Sequence, residues 1–202
     1  MLHSKMKLLL KETPQEDQIQ ALANQLGVSS MLAQMLWVRG IRNHDQASLF
    51  LHGSLDHLHD PMELKGMDKA VSRIQQALAS GEKIRIYGDY DADGISSTSL
   101  MITLFQQLGA HFDTYIPHRM KEGYGLNIPA MDHALAHDVK LIVTVDTGIS
   151  AVEQIDYANQ LGIDVIVTDH HEPPEVLPNA LALVNPKLPD CPYLFKGLAG
   201  VG

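Results

Sequence analysis

From residue 83 onward the sequence alternates short apolar runs with segments of helical periodicity, and this alternation limits the possible folds more than any other feature. The segments KIRIYG, FDTYIP, KLIVTVD, IDVIVTD and NALALVNP are typical of strands, and helices of crossover length separate the first four. These strands are rich in Val and Ile, as expected where helices cover both faces of a sheet. The pattern predicts a doubly wound, mostly parallel α/β sheet.

The preceding part of the chain has a different pattern. PQEDQIQALANQLG, SSMLAQMLWVRG and NHDQASLFLHG have apolar residues at helical spacing, and a glycine follows each segment's helical run. A turn-rich segment leads to MDKAVSRIQQALASG, which predicts a longer helix. We therefore expect a lead-in of short helices over residues 1–66 and an α/β domain over residues 67–202.

Acidic residues and histidines cluster behind the predicted strands. They follow three of them: Asp89, Asp91 and Asp93 after the first, Asp146 after the third, and Asp169, His170 and His171 after the fourth. In an open parallel sheet, these strand ends lie at one edge, where ligands bind. Crowded carboxylates repel one another unless cations neutralise them, and oxygen ligands with imidazole suit Mn²⁺ or Mg²⁺. Two such ions about 3.5–4 Å apart would clamp an in-line displacement at phosphorus.

The spacing of GDYDADG also matches the opening of an EF-hand calcium loop, with acidic residues at alternate positions and a following glycine. The match fails further along, because position 12 of such a loop should be a bidentate Glu and is Leu100 here. The context differs as well, since a predicted strand rather than a helix precedes the aspartates. The stretch is better interpreted as a strand end that turns into a helix.

A second, simpler interpretation applies to single residues of the cluster. An aspartate at a strand end is often the N-cap of the next helix. Asp146 could cap the helix SAVEQIDYANQ, although Ser150 is better placed to do so. The pair His170 and His171 is weak evidence taken alone, because the chain contains 11 histidines. The metal-site hypothesis depends on the coincidence of three strand ends.

Composition limits the classes of partner. The net charge of −9 gives no global basic field, so any nucleic-acid contact must be local or assisted by metal. The single cysteine, Cys191, excludes an intrachain disulfide framework and favours a reducing cytoplasm. The three consecutive leucines near the start are too short for a signal segment or a membrane span, so we expect no membrane association.

The motifs GDYDADG, VTVDTGIS and VTDHHEPP resemble the successive motifs of the DHH phosphoesterase superfamily, and Asp169-His170-His171 is its aspartate-histidine-histidine triplet. The segments DPMELKGMDKAVSRI, IPHRMKEGYGLN and LAGVG are similar to the RecJ family of bacterial single-strand-specific exonucleases within it. The resemblance is strong from about residue 50 onward. It implies 5′-to-3′ exonuclease activity on single-stranded DNA in recombination and repair, with two divalent ions, Mn²⁺ or Mg²⁺, as cofactors.

The resemblance also implies a role for each residue of the motifs. As metal ligands it implies Asp91, Asp93, Asp146 and His170, with Asp146 as the bridging ligand and Asp89 as a further ligand or as a partner of the ligands. It implies that Asp169 orients His170 or supports the turn, and that His171 contacts phosphate. Arg119 is expected to contact the DNA backbone because its planar guanidinium suits phosphate. The alternative is an exposed loop arginine with no DNA contact. Tyr124 is the best residue for base stacking.

The same resemblance implies features of the longer protein. In the family a further ligand aspartate lies downstream of the LAGVG motif, followed by a second domain and an oligonucleotide-binding module. We therefore expect these 202 residues to be an N-terminal piece that ends before the second domain and is inactive or very weakly active alone. Single-stranded DNA, a single-strand-binding protein and a helicase are the implied partners, and a monomer is the expected state.

Two other functions fit parts of the pattern. The first is a phosphodiesterase of the same superfamily that cleaves short oligonucleotides or cyclic dinucleotides, or an inorganic pyrophosphatase. Such enzymes begin close to the first motif and place a histidine before its aspartates, whereas Tyr87 and Gly88 stand here after a long N-terminal segment. The second is a non-catalytic scaffold, against which the intact set of acidic residues and histidines argues.

Overall fold

The computed structural model describes residues 15–202. The predicted absence of a signal segment concerns residues that lie outside this range. The chain divides into two compact units between Leu58 and His59. The predicted boundary between residues 66 and 67 lies further along the chain, and the structure groups residues 59–66 with the second unit.

The first unit is helical in its described part, as predicted. It consists of α1 (Glu16–Leu26), α2 (Ser30–Val38), α3 (His44–His52) and a 3₁₀ turn (Leu55–His57). Side chains cap two of these helices, because Ser29 accepts a hydrogen bond from the Leu32 N–H and Asn43 accepts one from the Gln46 N–H. A small apolar core holds α1 and α2 together and contains Ile19, Leu22, Ala23 and Ala33.

The second unit contains the strands and the remaining helices. In chain order its elements are a 3₁₀ turn (Pro61–Glu63), α4 (Met67–Ser80), β1 (Lys83–Tyr87), α5 (Ala92–Gln107), β2 (Phe112–Tyr115), α6 (Ile128–Ala136), β3 (Val139–Val145), α7 (Val152–Gln160), β4 (Asp164–Thr168) and β5 (Ala182–Val184). Each predicted strand and each predicted crossover helix is present.

The five strands form one sheet in the order β2-β1-β3-β4-β5, and every neighbouring pair is parallel. The register aligns Ile86 of β1 with Thr114 of β2 and with Val143 of β3. The predicted doubly wound parallel sheet is therefore confirmed. The chain leaves β1 toward β2 and later returns to β3 on the other side, so the strand order reverses between β1 and β3.

Helices cover both faces of the sheet, which explains the apolar strands. Successive residues of a strand point to opposite faces, so Ile84 and Ile86 pack with α4 and α5, whereas Tyr87 packs with α6 and α7. The gap between neighbouring loops at a reversal of strand order is where open α/β sheets bind ligands. Within residues 15–202, no helix is long and apolar enough to cross a membrane.

Candidate metal centre at the carboxyl edge of the sheet

The turn after β1 is built around aspartates. The Asp91 side chain caps α5 by accepting hydrogen bonds from the N–H groups of Asp93 and Gly94, both at 2.9 Å. The helix therefore begins at Ala92, and Asp93 lies in its first turn. A Cβ on Gly94 would lie 2.6 Å from the Cβ and the carbonyl oxygen of Asp89, so this close approach requires glycine.

Asp146 follows β3 with a strained backbone, since its φ of 61° is in the left-handed region that non-glycine residues seldom adopt. Its N–H donates to the Thr168 carbonyl at 3.1 Å, and the residue is 1% exposed. Burial raises the pKa of the Asp146 carboxyl to about 6, and the charges of Asp93 and Asp91 add to the effect. Such strain and such a shift are common where a residue serves function.

The N-terminus of α7 differs from the prediction. The residue at the N-cap position is Ala151, and no side chain caps this helix. The expectation that Ser150 caps it is therefore wrong, because the turn through Gly148, with φ of 112°, places Ser150 before the N-cap in an exposed position. Asp146 does not cap the helix either. The helix-cap interpretation thus applies to Asp91 and fails for Asp146.

Asp169 is saturated with hydrogen bonds and orders the turn after β4. Its Oδ2 accepts from the Ile149 N–H at 2.9 Å, and its Oδ1 accepts from the backbone N–H groups of His170 at 2.7 Å and His171 at 3.0 Å. The Nδ1 of His171 lies 2.7 Å from the same oxygen. Asp169 therefore supports the turn and orients the ring of His171, whereas it contacts only the backbone of His170.

The ring of His170 is oriented from another direction. Its Nδ1 lies 3.0 Å from the Leu198 carbonyl oxygen, which only accepts, so Nδ1 carries the proton. In the neutral ring Nε2 then presents a lone pair, and it lies 3.1 Å from Asp146 Oδ1 and 3.7 Å from Asp93 Oδ2. Asp146 Oδ1 is buried and has no hydrogen-bond partner among residues 15–202, since an unprotonated Nε2 has no hydrogen to donate. Lone pairs that face one another without a donor fit a divalent cation.

Asp93 has a different environment from the other acidic residues. Its Oδ2 accepts from the Gly200 N–H at 2.7 Å, and its Oδ1 accepts from the Val201 N–H at 2.8 Å. Each oxygen retains a further lone pair. Asp93 thus lies beside His170 in the cluster and is also tied to the segment that follows Leu198.

Two overlapping groups of side chains have the proximity that an ion needs. One comprises Asp146, His170 and His171, and the other comprises Asp89, Asp91 and Asp146; within each, the ligand atoms lie within 4.8 Å of one another. Asp146 belongs to both groups, which is the position of a bridging ligand. Asp93 belongs to neither. Within residues 15–202 no lysine or arginine forms an ion pair with these aspartates, so their charge is left to a cation.

The two aspartates after β1 differ in pKa. Burial raises the pKa of Asp89, which is 2% exposed. The hydrogen bond from the Gly94 N–H lowers the pKa of Asp91 and outweighs the smaller effect of burial. The exposed Asp91 is therefore the more readily ionised of the two, and the buried Asp89 needs a nearby positive charge to ionise with equal ease.

Aromatic and cationic side chains extend from the cluster along one side. The ring of Tyr124 lies 6.0 Å from the ring of His171 and 6.4 Å from that of Tyr90, and the guanidinium of Arg119 lies 5.2 Å above the Tyr90 ring. Tyr124 and Arg119 are exposed. A cavity of about 260 Å³ lies beside Tyr124 and His171 and is also lined by the turn after β3. The structure thus brings Tyr124 and Arg119 near His171 and the acidic cluster, and their contact with nucleic acid stays a prediction.

Sequence reasoning missed three contributors to this region. It gave no role to the backbone of residues 198–201 or to Tyr90, and it did not foresee the strain at Asp146. The glycine in LAGVG was a usable signal for a close backbone approach, because Gly200 lies against Asp146. No sequence pattern signals which backbone carbonyl a histidine ring will find.

Carboxylates and imidazoles cluster where the strand order of this parallel sheet reverses. These features define a class of α/β proteins suited to hold divalent cations at a phosphate ester. The profile of the DHH family, N-terminal domain, matches residues 83–202. This chain belongs to the DHH family.

Individual relatives agree with the family profile. The single-stranded-DNA-specific exonuclease RecJ of Bacillus subtilis (strain 168) is 49% identical over 202 residues, which is 100% of this chain and 26% of that protein. The RecJ of Escherichia coli (strain K12) is 41% identical over 173 residues, covering 85% of this chain and 29% of that protein. The chain therefore spans between a quarter and a third of the length of these relatives.

Solved structures of two RecJ chains share the fold. A crystal structure of exonuclease RecJ bound to manganese has a TM-score of 0.65 and 37% sequence identity, covering 72% of this chain and 37% of that one. RecJ from Thermus thermophilus in complex with Mn²⁺ has a TM-score of 0.66 and 30% identity, covering 93% of this chain and 26% of that one. These similarities confirm the family that the sequence motifs indicate.

Proposed function

We propose that this chain supplies the metal-binding part of a single-stranded-DNA-specific exonuclease that hydrolyses phosphodiester bonds from the 5′ end. One observation carries the proposal: the buried Asp146 Oδ1 lacks a hydrogen-bond partner in the described part of the chain and lies 3.1 Å from His170 Nε2. The names of its RecJ relatives give the substrate, and the structures with bound manganese give the cofactor class. The Mg²⁺ complex of a RecJ chain supports the alternative ion.

The proposed ligands follow from proximity. Asp146 would be shared by two ions, because it groups with Asp89 and Asp91 and also with His170. Asp93 is added because its Oδ2 lies 3.7 Å from His170 Nε2. The two ions would polarise the phosphoryl oxygen and lower the pKa of the attacking water. The chain's own contribution is to hold five donors at one edge of a rigid sheet, so that little reorganisation is needed when the ions bind.

The residues beside the ligands are proposed to position the DNA. Asp169 holds the ring of His171 through Nδ1, which leaves Nε2 of this half-exposed side chain free to contact a phosphate oxygen. Arg119 is proposed to contact the DNA backbone and Tyr124 to stack on a base. The ring of Tyr124 lies 6.0 Å from the ring of His171, and Arg119 lies over the Tyr90 ring, so both are within reach of a strand bound beside the acidic cluster.

The remaining expectations stay predictions about the cellular context. A single-strand-binding protein and a helicase are proposed as partners, because an exonuclease of this class needs exposed single strands. We propose a monomer in the cytoplasm. The buried free thiol of Cys191 is compatible with a reducing compartment.

The test is hydrolysis of 5′-labelled single-stranded DNA with Mn²⁺, by the 202-residue chain and by a chain extended to the length of its RecJ relatives. Double-stranded DNA and a dinucleotide serve as controls. We expect the extended chain to release mononucleotides from the single strand alone, and the shorter chain to show little or no activity. Cleavage of the dinucleotide with the long strand intact would instead identify a phosphodiesterase of the same superfamily.

A further inference from the structure

The segment that begins at Leu198 contacts three of the proposed ligands through its backbone. The Leu198 carbonyl oxygen accepts from His170 Nδ1, and the N–H groups of Gly200 and Val201 donate to the two oxygens of Asp93. Gly200 also lies directly against the carboxyl group of Asp146, where a Cβ would collide. Residues 198–201 are called the backbone strap below.

The polarity of each contact matches the group it touches. A carbonyl oxygen faces the ring nitrogen that must carry a proton if the other nitrogen is to bind metal, and two N–H groups face a carboxylate. Hydrogen bonds of this kind fix the tautomer of a ligating histidine and the orientation of a ligating carboxylate. The side chains of the strap are not required for any of these contacts.

Besides its hydrogen bonds to His170 and Asp93, the segment approaches Asp146 closely because Gly200 has no side chain. The close contact with Asp146 involves its Oδ1, Cγ and Cβ atoms, all within a buried residue whose backbone is already strained. An added methyl group would therefore displace the strap or the proposed bridging carboxylate. A methyl group on the nearby Gly202 would meet Leu198 Cδ2 at 3.2 Å and the Ala199 carbonyl oxygen at 3.3 Å, and both contacts are far less severe than the collision with Asp146 Oδ1 at Gly200.

We infer that the backbone strap is a positioning element of the metal centre: it sets His170 in the Nδ1–H tautomer, fixes the Asp93 carboxylate and makes room for Asp146. The inference rests on the proposed function, because it assigns the strap's role to ion binding. It also gives a physical reason for the LAGVG sequence, because the contacts come from backbone groups and Gly200 leaves space for Asp146.

The first experiment compares Gly200→Ala with Gly202→Ala as the matched control. Mn²⁺ binding is measured by electron paramagnetic resonance of the free ion, and the tautomer of His170 by long-range ¹H–¹⁵N spectra of the metal-free protein. We expect Gly200→Ala to weaken Mn²⁺ binding at least about 10-fold and to change the tautomer signal of His170. Gly202→Ala should resemble the wild type in both measurements.

A second experiment removes single hydrogen bonds without adding volume, in case Gly200→Ala fails to fold. Cys191 is a natural ligation junction, so residues 191–202 can be supplied as a synthetic peptide. An ester in place of the Val201 N–H deletes the donor to Asp93, whereas an ester in place of the Gly202 N–H deletes only a bond to the Ala199 carbonyl. The first ester should weaken Mn²⁺ binding and the second should not.

The possible outcomes distinguish failure of the strap's proposed role from failure of the proposed exonuclease function. Wild-type Mn²⁺ affinity in both Gly200→Ala and the Val201 ester would overturn the strap's role, even if the extended chain degrades DNA. Strap-dependent Mn²⁺ binding in a protein whose extended form leaves single-stranded DNA intact would overturn the exonuclease proposal and support the strap. An Nε2–H tautomer in the metal-free wild type would contradict the proposed contact with Leu198.

Discussion

Strand β1 contributes to two charged regions. In one the charges are paired with one another, and in the other the carboxylates have no cationic partner among the residues that the structure describes. In the middle of β1, the buried Arg85 forms two hydrogen bonds of 2.7 Å with Asp113 on β2, and Lys83 and the ring of His133 complete the group. We call these four residues the Arg85 network. Beyond its end, the acidic edge formed by Asp89, Asp91, Asp93 and Asp146 has no lysine or arginine partner within residues 15–202. The first region satisfies its own charges, and the second leaves them for a ligand.

The pKa values express the same contrast. Burial alone would raise the pKa of Asp113, but hydrogen bonds from Arg85 and Lys83 outweigh it and hold the pKa below its ordinary value. At Asp146, burial and neighbouring carboxylates act together and raise the pKa to about 6. A buried carboxylate with a fixed partner is structural, whereas one whose pKa is raised by burial and like charges marks a candidate functional site.

The largest expected effect comes from breaking the Arg85 network. Arg85→Met leaves the Asp113 carboxylate without its main partner, and removal of one partner of a buried ion pair costs about 3–5 kcal/mol. Urea denaturation followed by circular dichroism measures the loss, with the exposed Arg39→Met as the control. A loss of under about 1 kcal/mol would place the network among weak surface ion pairs. Mn²⁺ binding should survive in the folded fraction.

Neutralising a charged residue at the acidic edge should have the opposite effect on the free energy of unfolding. Asp146→Asn removes a buried carboxylate whose ionisation opposes folding, and a shift of about two pKa units corresponds to about 3 kcal/mol near neutral pH. We expect a metal-free variant that is more stable by up to this amount and binds Mn²⁺ more than about 100-fold less tightly. The exposed Asp156→Asn is the control. Destabilisation by Asp146→Asn would contradict the account.

The pH dependence of stability should separate the regions next. Because the folded-state pKa of Asp146 is about 6, above its ordinary 3.8, its ionisation lowers stability as pH rises through that interval, by at most about 1.4 kcal/mol per pH unit. Asp113, whose folded-state pKa is lowered, contributes stability above its ordinary pKa that is lost as pH falls through the folded value. Thermal unfolding across pH should lose the first component in Asp146→Asn. An unchanged profile in that variant would assign the slope to other groups.

The smallest effect concerns a charge that belongs to neither region. Arg119 is exposed and rests on the Tyr90 ring, so Arg119→Ala should leave stability unchanged. We expect it to weaken binding of single-stranded DNA to the extended chain about 10-fold and to reduce the salt slope by about 1. The matched control is Lys121→Ala in the same loop. Equal effects of both variants would indicate a diffuse field rather than a phosphate contact.

The sequence was sufficient to predict the fold because the signal is repeated along the chain. Each of the first four strands is an apolar run followed or preceded by a crossover helix, and parallel strands with such connections form few arrangements. The same logic predicts that Asp146 and Asp169 lie at one edge of the sheet. The weaker prediction was at helix ends, where Ser150 was expected to cap α7 and Ala151 occupies the position.

The fine geometry of the candidate site could not be predicted, because it depends on contacts between distant segments. The tautomer of His170 is set by a carbonyl 28 residues away, and both oxygens of Asp93 are held by a segment more than 100 residues downstream. The side chain of Asp169 contacts the ring of His171 rather than that of His170. These choices follow from packing, which local patterns do not encode.

The most direct test of the comparison between the two regions is a calorimetric titration of the chain with Mn²⁺, performed on the wild type, Asp146→Asn and Arg85→Met. We expect saturable Mn²⁺ binding by the wild type and by the folded Arg85→Met protein, and no such binding by Asp146→Asn. A wild type that binds no Mn²⁺, or an Asp146→Asn variant that binds it with unchanged affinity, would contradict the claim that the acidic edge is built to hold divalent ions.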